Sequence, residues 1–200
     1  MRAARVCAGI GSAGFVLASL VVGAPASAMD TVNGTGGDDH LRGTPFRDRI
    51  HGFGGGDTVF ALAGPDRIGA GFGFDRNVNG GPGDDTIRGG PQGDTLDGGQ
   101  DDDTIYGGAG RDSLLGGRGS DVIFGGTRAD EFIFDGRGTD TIYAGAGNDS
   151  IFLKVDQASD TAICGAGRDV VWGATKENTV AADCEEVHVQ PPQDRRITGR

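Results

Sequence analysis

From Gly34 to Trp172 the chain repeats a nine-residue phrase in which aspartate holds the sixth place and an apolar side chain the eighth. Six blocks run without a gap from residue 80 to 133: GGPGDDTIR, GGPQGDTLD, GGQDDDTIY, GGAGRDSLL, GGRGSDVIF and GGTRADEFI. Phe134 reads as a single inserted residue, after which DGRGTDTIY and AGAGNDSIF continue. A weak block, VDQASDTAI, follows Leu153-Lys154 and leads into CGAGRDVVW. Upstream the period persists while the glycines decay, through GTGGDDHLR, GTPFRDRIH, GFGGGDTVF, ALAGPDRIG and AGFGFDRNV. The eighth place is filled by Leu41, Ile50, Val59, Ile68, Ile87, Leu96, Ile105, Leu114, Ile123, Phe132, Ile142, Ile151 and Val171. The fifth block, with Val78 one place late, and the weak block, with Ala162, depart from it.

Each block reads as a turn followed by a very short strand. Glycines at the first, second and fourth places permit positive φ and a sharp turn. The closing triplets, such as Thr-Ile-Arg and Thr-Ile-Tyr, carry the β-branched and aromatic residues that suit extended chain. Alternation then sends the eighth side chain inward and the seventh and ninth outward. A three-residue strand has no stability alone, so the repeats must stack. Two blocks make one 18-residue coil, and coils about 4.8 Å apart build two parallel sheets around a thin aliphatic core. The expected fold is all-β, a parallel β-roll (β-solenoid) over residues 29–172, with about seven and a half coils and a length near 36 Å at that spacing.

Composition narrows the function. The 200 residues include 40 glycines, and only 36% are hydrophobic, so a large conventional core is excluded and the order resides in the repeat. The net charge of −11 argues against nucleic acid and against unassisted binding to anionic lipid. The acids are 25 Asp against 4 Glu, a bias that gives the short carboxylate arm a geometric task, as a turn former or an oxygen ligand close to the backbone.

Residues 1–28 have the plan of a signal peptide. Arg2 and Arg5 precede the apolar run from Phe15 to Val22, and Ala26 and Ala28 supply small residues for cleavage before Met29. The run is too short to span a membrane, so no insertion is expected after cleavage, and the address is extracellular. Cleavage removes two arginines and no acid, turning −11 into −13. Cys7 leaves with that segment; Cys164 and Cys184 remain, and an even count in an exported chain points to a disulfide over two free thiols or a metal pair. Segment 173–189, with Val180, Val187 and Val189, reads as an irregular last strand and cap tied by that bond, and 190–200 as a polar disordered tail.

GGAGRDSLL and GGRGSDVIF resemble the GGxGxDxUx nonapeptide of the repeats-in-toxin (RTX) calcium-binding family, and the resemblance extends over most of the chain. CGAGRDVVW followed by AADCEEV is similar to the end of exported actinobacterial calcium-binding proteins. The resemblance implies several calcium ions held between loops of successive coils, by turn carbonyls and by two sixth-place carboxylates one coil apart. Stacked carboxylates repel, and a hard dication with six or more oxygen ligands removes the repulsion. Loops two blocks apart stack, so one row contains Asp85, Asp103, Asp121 and Asp140, and the other Asp94, Asp112, Asp130, Asp149 and Asp169. The glycine turns best suited to ions contain Gly81 and Gly83, Gly108 and Gly110, Gly117 and Gly119, Gly136 and Gly138, Gly145 and Gly147, and Gly165 and Gly167. Loops 43–48, with Phe46, and 61–66, with Leu62 and Pro65, lack the pattern, and Asp160 is a poor ligand candidate. A calcium-free solenoid with aspartate turn corners is the alternative.

His40, His51 and His188 share no metal-ligand spacing, and no serine has a sequence-visible His–acid partner. Thr58, Thr86, Thr95, Thr104, Thr141 and Thr161 share the outward seventh place, which strand propensity explains. The expectation is therefore no catalysis: a secreted module that folds on calcium and serves as a structural or binding rod for an unidentified extracellular or cell-surface partner. The alternative is an accessory or remnant of a secreted toxin, protease or lipase, against which stands the lack of a long non-repeat region within this sequence.

Overall fold

A computed structural model describes residues 29–156 and 158–189; the proposed signal peptide and the 190–200 tail lie outside them. Among the described residues there are only strands, arranged as two nine-stranded sheets whose members alternate along the chain. Every pairing is parallel, and the register repeats with the coil: Leu96 pairs with Leu114, and Ile105 with Ile123. This is the β-roll the nonapeptide pattern requires. Each coil contributes one strand to each sheet because two blocks close one circuit.

The roll is longer than the repeats predict, about nine turns, or near 43 Å at about 4.8 Å per coil. Asp30–Asn33 adds a strand before the first block, and Thr179–Val180 and Glu186–Val189 add one to each sheet after the last. Segment 173–189 is thus a further, degenerate coil. Val171 pairs with Val187, and Trp172 with His188.

The core is thin: most strands bury one large apolar side chain, and the smaller Ala61, Ala70, Ala144, Cys164 and Ala174, with Leu153, complete it. Leu41, Ile50, Val59, Val78, Ile87, Leu96, Ile105, Leu114, Ile123, Ile142, Ile151 and Val171 are all essentially inaccessible to water. Phe132 departs from expectation: it is 40% exposed, and Ile133 is the buried residue, paired with Leu114. The extra residue is therefore Glu131, not Phe134. The Glu131 amide donates to the Asp112 carbonyl, the bond a seventh-place residue normally makes, before the strand resumes at Phe132. Arg76, lying between Asp75 and the strand Asn77–Pro82, is the corresponding insertion in the fifth block, and it explains why Val78 arrives late but pairs in register with Val59.

Outward ninth-place residues stack into ladders. Tyr106, Phe124 and Tyr143 lie ring on ring at 4.9 and 5.0 Å, with the Arg88 guanidinium over Tyr106. On the other sheet Phe134 stacks on Phe152 at 4.8 Å, and Trp172 on His188 at 3.7 Å. Such cross-strand pairs contribute about 0.2–1 kcal/mol each, a supplement that a narrow core makes useful. Cys164, buried at a first place, is bonded to Cys184 with Cα atoms 5.2 Å apart, which ties the degenerate last coil to the roll.

Candidate calcium sites

Each sixth-place aspartate sits where a turn enters a strand, with its carboxylate directed into the roll and 0–3% of the residue exposed. Its backbone amide donates to Oδ1 of the aspartate one coil later. In one row Asp48, Asp66, Asp85, Asp103, Asp121 and Asp140 donate in turn, ending on Asp160, with distances of 2.6 to 3.1 Å. In the other, Asp39, Asp57, Asp75, Asp94, Asp112, Asp130 and Asp149 lead to Asp169. The two rows expected from the 18-residue coil are present, and both extend further towards the N-terminus. At the C-terminal end Glu185 Oε2 accepts from the Asp169 amide, standing in for a sixth-place aspartate.

The second carboxylate oxygen separates the loops. Oδ2 is buried without a hydrogen-bond partner in Asp57, Asp66, Asp75, Asp85, Asp94, Asp103, Asp112, Asp121, Asp130, Asp140, Asp149 and Asp169. Asp39 and Asp48 differ. Their Oδ2 atoms accept the Thr35 and Thr44 amides at 2.6 Å and the same residues' hydroxyls at 2.9 and 3.0 Å. Asp160 Oδ2 accepts from Asn178 Nδ2 at 2.7 Å. In loop 43–48, where the sequence lacks the pattern, Asp48 Oδ2 is thus partnered, whereas Asp66 in loop 61–66 carries the same unpartnered oxygen as the central residues. Asp57, Asp66 and Asp75 lie outside the glycine turns that the sequence favours, yet share this unpartnered oxygen. Phe53 and Leu62 nevertheless take the turn, at φ of 73° and 85°, a conformation that costs a non-glycine residue about 1–2 kcal/mol.

An isolated buried carboxylate oxygen is expensive, so these groups must take up a proton or a cation. Burial raises their pKa values, partly offset by the amide from the preceding coil; neighbouring carboxylates push several higher. Asp103, flanked by Asp85 and Asp121, is pushed up to about 8. Asp66, Asp94, Asp130 and Asp140 rise to about 7. Asp57, Asp85, Asp112, Asp121 and Asp149 rise to about 6.

The turns add carbonyl oxygens. A Cβ on Gly107 would stand 2.6 Å from Asp112 Oδ2 and 2.6 Å from the Gly125 carbonyl oxygen, one coil on. The first-place glycine thus leaves room for two converging oxygens. It does not serve by positive φ, which the pattern suggested; second- and fourth-place residues do, as at Gly117 and Gly119, with φ of 116° and 136°. Gly110 is a fourth-place residue without positive φ. An open first-place glycine and an unpartnered Oδ2 coincide in the blocks of Asp57, Asp85, Asp94, Asp103, Asp112, Asp121 and Asp130. In those of Asp66, Asp75, Asp149 and Asp169 a Cβ of Ala61, Ala70, Ala144 or Cys164 already occupies the place.

Rows of buried, acceptor-only carboxylates interleaved with turn carbonyls define a repeat roll built to hold hard cations. The RTX calcium-binding nonapeptide repeat model matches four times, over residues 33–68, 79–114, 97–130 and 125–154, and the chain belongs to that family. Its repeats bind calcium, and the carboxylate rows fit calcium sites. The family is a structural calcium-binding domain rather than a catalytic one. No curated protein matches the chain.

Proposed function

We propose that the protein is an exported calcium-binding module that gains its fold outside the cell, where calcium is abundant, and then acts as a rigid structural or binding rod. The observation that carries this reading is the pair of rows of buried Oδ2 atoms that have no hydrogen-bond partner among the described residues. A dication between successive loops would take carboxylate oxygens from two coils, such as Asp103 and Asp121, together with turn carbonyls. The carboxylates would thereby lose their mutual repulsion and complete their coordination. The ligands that geometry favours are Asp85, Asp94, Asp103, Asp112, Asp121 and Asp130, whose first-place glycines leave room for the converging oxygens. Asp57 qualifies on the same grounds.

Export is supported by the signal-like first 28 residues and by the Cys164–Cys184 bond, a linkage favoured in oxidising compartments. Extracellular calcium would occupy sites with dissociation constants of about 10⁻⁴–10⁻³ M. The test is equilibrium dialysis of the secreted protein against calcium at neutral pH. Several ions per chain with affinities in that range are expected; failure to bind calcium at millimolar concentration overturns the reading.

A further inference from the structure

Beyond the repeat loops, we infer that Asp135, Asp140 and Asp160 form a separate three-carboxylate site for one calcium ion, placed where the repeat is most degraded. Asp135 occupies a first place, which is glycine in each of the six preceding blocks, from Gly80 to Gly125. One carboxylate oxygen from each of the three lies within 4.8 Å of the others, and all three residues are buried. That spacing suits one ion with metal–oxygen distances of about 2.3–2.6 Å.

Two of the three are partly engaged. Asp135 accepts the Gly136 amide at 2.6 Å and the Lys154 amide at 2.9 Å. Asp160 accepts the Asp140 amide at 3.1 Å and Asn178 Nδ2 at 2.7 Å. Asp140 Oδ1 accepts the Asp121 amide, but its Oδ2 is buried and has no partner. In the neighbouring blocks a Cβ at the first place would meet Oδ2 of the same block's aspartate, as Gly116 would meet that of Asp121 at 2.6 Å. Asp135 holds this first place in the block of Asp140. Its side chain therefore enters the space that Asp140 Oδ2 faces.

Among the described residues no lysine or arginine forms an ion pair with any of the three. An all-oxygen set of three anions in a dry interior selects a hard dication over a soft metal. The location has its own logic. The segment from Val155 to Asp160 contains no glycine, whereas each of the other turns of the repeat carries at least one. Asp135 supplies a third carboxylate from inside the roll instead, and brings Asp160, unpromising by sequence, into a ligand set.

The test is an ion count by equilibrium dialysis and native mass spectrometry on the full secreted chain, with Asp135→Asn, Asp160→Asn and the double variant. Asp135→Gly, which restores the residue found one coil earlier at Gly116, guards against loss of fold; circular dichroism in saturating calcium checks it. Each single variant should bind one ion fewer than the parent, and the double variant also one fewer. An unchanged count in Asp135→Asn and Asp135→Gly overturns the inference, most clearly if Asp135→Asn also stabilises the calcium-free chain, the mark of a shared proton. Two ions lost in the double variant overturn it as well. A parent chain that binds no calcium defeats both this site and the function proposed above.

Discussion

The backbone amide of Asp103 donates a 2.8 Å hydrogen bond to Oδ1 of Asp121, one coil further on, while Oδ2 of that same Asp121 is buried with no partner. One carboxylate thus does two things. Its first oxygen fixes the stacking of successive turns, and its second is left to a cation. Turn formation and ion binding are therefore properties of one side chain, and substitutions can separate them.

Asp112→Ala and Asp121→Ala remove both oxygens at open-glycine loops. Each should lose at least one bound ion and lower the stability of the calcium-loaded fold by about 1.5–3 kcal/mol, the scale of a hydrogen bond to a charged group. Asp48→Ala should also destabilise, because Thr44 loses its acceptor, but with an unchanged ion count. Calcium titration calorimetry and thermal melts read the two effects separately. Equal loss of ions in all three variants would show that the unpartnered oxygen is not what distinguishes a site.

Gly107→Ala tests the oxygen-lined space directly. The added methyl would sit 2.6 Å from both Asp112 Oδ2 and the Gly125 carbonyl oxygen, at a residue without positive φ, so backbone strain is not the cause. Overpacking of this kind costs about 1–3 kcal/mol. The variant should lose calcium affinity along with stability, and a variant with parental affinity would refute the proposed convergence.

Proton and calcium compete for the same carboxylates. Values raised in the folded state, to about 8 at Asp103, about 7 at Asp94 and about 6 at Asp112, mean that the calcium-free fold holds protons more tightly than the unfolded chain. Its stability is then fully present only below the unfolded value near 4, and is lost as pH rises through about 6 to 8. Calcium-stripped protein should melt at progressively lower temperature between about pH 4.5 and 8, and calcium affinity should rise across the same interval. A calcium-free melting temperature that climbs with pH contradicts this.

Cys184→Ser should loosen the last coil first. The strand Glu186–Val189 covers the edge formed by Val170, Val171 and Trp172, and an uncovered parallel edge promotes association. Hydrogen exchange should lose protection at 161–189 before the central coils, with dimers or larger species in light scattering. Uniform protection and a monomeric variant would show that the disulfide does not hold this end.

The period and phase made the coil, the core residues and the two aspartate rows legible in the sequence. What escaped it has physical causes. Ile133 and Phe132 are adjacent apolar residues, so alternation alone could not decide which faces inward, and Glu131 as the inserted residue emerges only from the Asp112 carbonyl pairing. Glycine decay suggested that the early loops had failed, yet Phe53 and Leu62 adopt the left-handed turn without it. The last coil reads in sequence only as one irregular strand and cap, because Glu185 accepts the hydrogen bond an aspartate normally takes, and Asn178 holds Asp160, in a stretch where the nonapeptide is otherwise gone.

The central claim is that calcium in the carboxylate rows is a condition of the fold at neutral pH. The direct measurement is far-ultraviolet circular dichroism of the secreted, calcium-stripped chain at about pH 7.5, followed by calcium titration. Burial of twelve carboxylates with an unpartnered oxygen, most of them charged at this pH, around so thin a core should leave the stripped chain largely unfolded. Millimolar calcium should then convert it cooperatively to β-structure, with magnesium far less effective. A full β spectrum in the stripped protein at this pH, unchanged by calcium, would contradict the account.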